Sequence, residues 1–138
     1  MTLDEALADL RARIEPGRAE GAAAYHKVER EYLGVTNPAI NEITTGWRRT
    51  LTVDERVTLA DALWQTDIYE ARLAAAKLLT QARIKGDDPV WALIVSWVPD
   101  FDSWAIADHV CMAGQKRLVA DPTRVDTVEG WTTSDHMW

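Results

Sequence analysis

The sequence predicts an all-α protein. Apolar residues recur at helical spacing almost throughout, and no run alternates apolar and polar residues long enough to mark a half-buried strand. Helix-start signals at Thr52, Asp88 and Asp121 recur about every 35 residues, which is the spacing of stacked helical hairpins. With 138 residues and 47% hydrophobic content, the chain is sized for a single domain over residues 1–138 with a core of its own.

The elements follow in order. Thr2 and Glu5 have capping-box spacing for a first helix ending near Pro16-Gly17, and a second runs from about Arg18 to Gly34, carrying Tyr25 and Lys27. Asn37 is a good N-cap and Pro38 is tolerated at the first helical position, so a third helix is expected from Pro38 to about Arg49. Thr52 and Glu55 repeat the capping box for a fourth, with Val53, Val57, Ala60, Leu63 and Trp64 on one stripe and an end near Thr66. Ile68 to Lys85 has the strongest helical composition, and Gly86 closes it. Asp88-Pro89 opens a nearly all-apolar helix, Val90 to Val98, which is expected to be central and buried on most sides, until Pro99 breaks it. Asp102 or Ser103 can cap a helix starting at Trp104 and ending near Gly114, and Asp121-Pro122 starts another reaching roughly to Gly130. The tail, Trp131 to Trp138, reads as a loop and N-cap leading into a helix barely begun, the expectation being that the chain is part of a longer protein.

The repeats lack the Trp, Leu-Gly and Tyr offsets of tetratricopeptide units, so the pattern fits an α-α superhelix, a divergent HEAT-like helical-repeat solenoid, with a compact helical bundle as the alternative.

A net charge of −7 is unfavourable for binding a polyanion. The charge is uneven: residues 1–46 carry −3, residues 47–86 carry +2 and residues 87–138 carry −6, so only the middle is basic. There Arg48, Arg49, Lys77, Arg83 and Lys85 can follow a phosphate backbone or simply form a solvated face. No run of eighteen apolar residues and no N-terminal signal pattern occur, so a cytoplasmic protein without a membrane span is expected. The single cysteine, Cys111, lies between Val110 and Met112 and reads as a buried thiol rather than a nucleophile. His26, His109 and His136 have no metal-ligand spacing, and there is no Gly-rich phosphate loop or nucleophile elbow.

Trp104 and Asp108 stand four residues apart in a predicted helix, which sets a carboxylate beside an indole on one face. That pair suits stabilisation of a developing cation without a covalent bond, and it equally describes an acid bordering a packed Trp. Thr36, Asn37 and Thr52 sit at predicted helix starts, where free N–H groups and the dipole end hold phosphate, or where the side chains merely cap.

Four ordered blocks resemble the AlkD-like DNA alkylation repair family of HEAT-like-repeat DNA glycosylases. They are Ala24-Tyr25-His26-Lys27 with Tyr32-Leu33-Gly34-Val35-Thr36-Asn37-Pro38; Leu63-Trp64 with Ile68-Tyr69-Glu70-Ala71-Arg72-Leu73-Ala74; Ser103-Trp104-Ala105-Ile106-Ala107-Asp108; and Trp131 to Trp138. Two positions depart from the family pattern: Ala105 stands where an acidic residue often follows the Trp, and His136 where Asn is usual.

The resemblance implies hydrolysis of the N-glycosidic bond of N3- or N7-alkylated purines in duplex DNA, with no metal or organic cofactor. It implies Asp108 as the catalytic carboxylate and Trp104 as the aromatic contact to the sugar, and it makes Tyr25 and Lys27 candidates for DNA contact, alongside the readings of a packed Tyr and a solvated Lys. Two alternatives stand beside it: a non-catalytic DNA-structure binder of the same family, and an α-solenoid protein-interaction module, which the negative charge favours.

Overall fold

The computed structural model describes residues 1–21, 30–80, 87–100 and 104–124, with the side chains of Trp104 and Ala105 left aside. Its principal helices are α1 (Leu3–Arg11), α2 (Asn37–Thr50), α3 (Val53–Gln65), α4 (Tyr69–Leu79), α5 (Asp88–Trp97) and α6 (Trp104–Ala120), with 3₁₀ turns at Val98–Asp100 and Pro122–Arg124. Among the described residues there is no strand, only one isolated parallel bridge between Glu31 and Ile68.

Local chemistry sets the helix starts. At both Thr2 and Thr52 the hydroxyl accepts the N–H of the residue three on, and that residue's carboxylate accepts the cap N–H, as the spacing predicts. The α2 cap is one residue earlier than expected: Thr36 holds the extended conformation and accepts from the Ala39 N–H at 3.2 Å, which makes Asn37 the first helical residue and Pro38 the second. Pro38 fits there because the N–H it lacks would have had no partner within the helix. The first helix also stops at Arg11, short of Pro16-Gly17.

The helices stack in two layers. Helices α1, α3 and α5 touch in sequence along one side, α2, α4 and α6 along the other, and the cross-contacts α1 with α2, α3 with α4 and α5 with α6 complete three pairs. This is an all-α helical repeat, and α3 and α5 begin at Val53 and Asp88, 35 residues apart. Second-layer neighbours lie against one another over more of their length than first-layer neighbours do.

The centre is α4, nine of whose eleven residues are buried. Ala71, Ala74, Ala75 and Ala76 leave room for α2, α3 and α6 to approach from three sides, while Leu73, Leu78 and Leu79 fill the space between. The expectation that the apolar helix Val90 to Val98 is central is corrected here. In α5 only Val90, Ile94 and Trp97 are buried, because the helix occupies the first layer and presents one face to the core; apolar composition does not by itself mean burial. Trp91, within that apolar run, is accordingly only partly covered, with the Arg124 guanidinium 5.5 Å from its ring.

Gly114 does not end α6, which continues to Ala120. It lies within the helix where α5 crosses, and a Cβ there would meet Ile94 Cγ2 at 3.8 Å and Trp91 Cζ3 at 4.0 Å. Between α1 and α2 the Trp47 indole N–H donates to the Asp9 carboxylate at 2.9 Å, tying the end helix to the stack. No helix among the described residues is long and apolar enough to cross a membrane. Residues 22–29, 81–86, 101–103 and 125–138, which include Tyr25, Lys27 and the expected helix reaching Gly130, lie outside the described residues.

Candidate functional site

The site is built on α6. Its buried stripe of Ile106, Ala107, Val110, Ala113 and Arg117 turns the opposite face outward, and Asp108 is exposed there with Cys111, Met112 and Gln115. Trp104 is the first residue of the helix, one turn before Asp108. Among the described residues Asp108 has no hydrogen-bond or salt-bridge partner. Other aspartates are engaged: Asp9 and Asp100 by indole N–H groups, Asp67 and Asp87 by arginines. His109 does not share the face of Asp108, since adjacent helical residues point about 100° apart.

Cys111, expected to be buried, is exposed instead, because it falls on the outward side of the helix one residue past Val110. Partial desolvation raises its pKa first, and the Asp108 carboxylate one turn away raises it further. That environment disfavours a thiolate, in keeping with a cysteine that is not a nucleophile.

Three long-range contacts hold the helices of the stack in place. The first joins the start of α5 to the end of α6. Asp87 receives Arg124 through two hydrogen bonds at 3.0 and 2.7 Å and Arg117 through one at 2.8 Å, while Arg124 also reaches Asp88 at 2.9 Å and the Arg117 carbonyl at 3.0 Å. Arg117 is fully buried and Arg124 nearly so, so this forked pairing is a buried ionic lock rather than a surface decoration. The hydrogen bond from Arg124 leads in holding the Asp87 carboxyl below the usual aspartate range. Sequence reading missed the lock; the available signal was Arg117 falling on the same helical stripe as Val110 and Ala113.

The second contact lies at the chain segment before α6. Trp64 and Trp97 stack with centroids 4.5 Å apart and planes 8° from parallel, and the Trp64 indole N–H donates to the Asp100 carboxylate at 2.9 Å. The Arg72 guanidinium lies 4.5 Å from the same Trp64 ring, donates to the Trp64 carbonyl at 3.1 Å and faces Asp67 at 3.4 Å. Asp67 has φ of 55°, a left-handed turn that Asp tolerates better than most residues. Arg72 is therefore a structural residue of the α3–α4 turn.

The third contact is the Glu70 carboxylate, 1% exposed, which accepts the N–H groups of Leu33, Gly34 and Val35 at 2.9, 2.8 and 3.1 Å. It fixes the turn that delivers Thr36 to the start of α2. Thr36 caps α2, and no acidic residue stands in that helix's first turn. Thr52 differs: its N–H and hydroxyl are both engaged with Glu55, and Asp54 and Glu55 already place negative charge on the start of α3. Hydrogen bonding of Thr52 to the Glu55 carboxylate, from the backbone N–H first and the side chain second, lowers the Glu55 pKa.

No group of three or more His, Cys, Asp or Glu side chains converges to hold a metal among the described residues. A recess of about 370 Å³ lies between the start of α1 and α3, lined by Met1, Leu3, Asp54, Thr58, Leu59 and neighbours, and it does not include Asp108. A family model described as DNA alkylation repair enzyme matches residues 6–138 of the chain. No curated protein and no solved structure matches the chain.

Proposed function

This chain belongs to the DNA alkylation repair enzyme family, and we propose that it acts in the cytoplasm as a DNA glycosylase on purines alkylated at N3 or N7. The observation that carries the reading is Asp108: a carboxylate exposed on a rigidly held helix, with no partner of its own among the described residues. Carboxylates that serve the fold are engaged by N–H groups or guanidinium groups, as Glu70 and Asp87 are. The helix that bears Asp108 belongs to the layer whose neighbours lie against one another over more of their length. In the proposed complex the duplex lies along the exposed face of that layer, beside Asp108.

The chemistry asks little of the protein. An N3- or N7-alkylated purine carries a positive charge, so it leaves with the bonding electron pair as the C1′–N bond breaks, and the sugar becomes oxocarbenium-like. A water oxygen bonds to C1′ and gives up a proton, leaving an abasic site. Asp108 supplies a fixed negative field beside the sugar and orients the water; Trp104 offers the ring face to the same sugar. Each tenfold of rate needs about 1.4 kcal/mol of preference for that transition state. No cofactor enters the scheme.

Tyr25, Lys27, Thr36, Asn37 and Thr52 are the proposed DNA contacts. The start of α2 is the better phosphate seat of the two helix starts, because a phosphate at Thr52 would displace Glu55 and face Asp54. The test is incubation with methylated duplex DNA and chromatography of the released bases. Free 7-methylguanine supports the reading; DNA binding without release points to a structure-binding protein, and no binding at low salt points to a protein-interaction module.

A further inference from the structure

The end of α4 carries two positive charges that the fold does not neutralise. Lys77 Nζ donates to the Asn41 side-chain carbonyl at 2.6 Å, and the Arg48 guanidinium donates to the carbonyls of Lys77 and Thr80 at 3.4 and 3.2 Å and to the Thr45 hydroxyl at 3.3 Å. Every one of those acceptors is neutral. Among the described residues no carboxylate lies within salt-bridge distance of either group, in a chain that has 22 acidic residues and a net charge of −7. Arg30, Arg72, Arg117 and Arg124, by contrast, each face an aspartate.

Two cations held together at one helix end repel. Burial lowers the Lys77 pKa first, and the Arg48 charge lowers it further. Arg56 packs beside the pair and donates to the Arg48 carbonyl at 2.8 Å. The carbonyl end of the α4 dipole offsets only about half a charge, so the pair retains more than one unit of positive charge. A multivalent anion is the ligand such a pair accepts.

We propose that Lys77 and Arg48, with Asn41 and Thr45 as neutral hydrogen-bonding neighbours, hold a backbone phosphate of the DNA duplex. The inference rests on the DNA reading above and deepens it, selecting from the five basic residues of the middle segment the two that the packing brings together without a carboxylate partner. Geometry favours a duplex: α2 and α4 belong to the same layer as α6, α4 packs directly on α6, and neighbouring helix axes lie roughly 8–10 Å apart. A few base pairs, at about 3.4 Å each, span that distance. The cluster also accounts for how an acidic chain engages a polyanion: the favourable charge is local, on the layer that bears Asp108.

The test is fluorescence anisotropy of the full chain with a labelled, unmodified duplex across a salt series. Wild-type binding is expected to weaken with salt. Lys77→Gln, which keeps a donor for Asn41, is expected to bind severalfold more weakly and to reduce the slope of log K against log salt by about 0.9, the value for one phosphate contact. Arg48→Gln is expected to do the same, Lys77→Arg to restore the slope, and Arg11→Gln, at an exposed position of α1, to leave it unchanged. Thermal melts run alongside establish that the variants are folded. A wild-type slope in folded Lys77→Gln overturns this inference alone. Absence of any wild-type binding at low salt overturns the DNA reading itself, and this inference with it.

Discussion

The Glu70 carboxylate Oε2 lies 2.8 Å from the amide nitrogen of Gly34, thirty-six residues away in sequence, and accepts its proton inside the core. With the Leu33 and Val35 amides it satisfies three consecutive backbone donors that would otherwise be buried without water. The same segment is pinned from the other side by the Tyr69 N–H donating to the Glu31 carbonyl at 2.9 Å. A leucine-glycine turn and a Glu-x-Arg element, separate in the chain, are thus halves of one contact.

Glu70→Ala should therefore be among the most costly single substitutions. Leaving three buried donors unpaired is expected to lower stability by about 3 kcal/mol or more, since a hydrogen bond to a charged group contributes about 1.5–3 kcal/mol. Urea unfolding followed by circular dichroism measures it; a loss below about 1 kcal/mol would mean the turn is held by something else.

The two glycines near functional elements should respond to alanine with opposite signs. Gly34 has φ of +89°, and a Cβ there would sit 3.0 Å from the Ala19 nitrogen and 3.2 Å from the Glu15 carbonyl oxygen, both backbone atoms. Gly34→Ala is expected to cost about 2 kcal/mol or more, the left-handed penalty of about 1–2 kcal/mol plus the clash. Gly114 lies inside α6, and its added Cβ would meet only ordinary contacts at 3.8 and 4.0 Å. Gly114→Ala should stabilise by about 0.5–1 kcal/mol through helix propensity and reduced freedom in the unfolded chain. Paired denaturation curves settle both signs.

The lock between α5 and α6 should give the protein a distinct acid response. Asp87 has its pKa lowered from the ordinary 3.8, chiefly by the hydrogen bond from Arg124. A depressed folded-state value means the contribution is fully present above the unfolded pKa near 3.8 and is lost as pH falls through the lower folded value. Stability should therefore fall below pH of about 4, and Asp87→Asn should be less stable at neutral pH with a shallower decline as the solution is acidified further. Parallel slopes for both proteins would remove Asp87 from the acid response.

What the sequence made legible was local. Both capping boxes, the start of α5 at Asp88 and the helical pairing follow from spacing that a few residues dictate. What it concealed was non-local. The partnership of Asp87 with Arg117 and Arg124 spans 30 and 37 residues, and nothing beside Asp87 announces it. The burial order of α4 and α5 was inverted because a run of valine, leucine and tryptophan is more apolar than a run of alanines, whereas a central position between three helices favours small side chains. Gly114 reads as a stop from composition alone, whereas in the packed structure it stands inside α6 with ordinary van der Waals room for a Cβ beside α5. For the site, the Trp104 and Asp108 spacing was readable, while the isolation of Asp108 from every described partner needed the packed structure.

The central claim is that the Asp108 carboxylate stabilises a cationic sugar, and Asp108→Asn tests it by removing charge while keeping shape. The measurement is the single-turnover rate of 7-methylguanine release from a methylated duplex, with duplex affinity recorded on the same samples. The account predicts a rate at least about a hundredfold lower, equivalent to roughly 2.7 kcal/mol of transition-state stabilisation, at unchanged affinity and melting temperature. An asparagine variant that releases the base at the wild-type rate would contradict it.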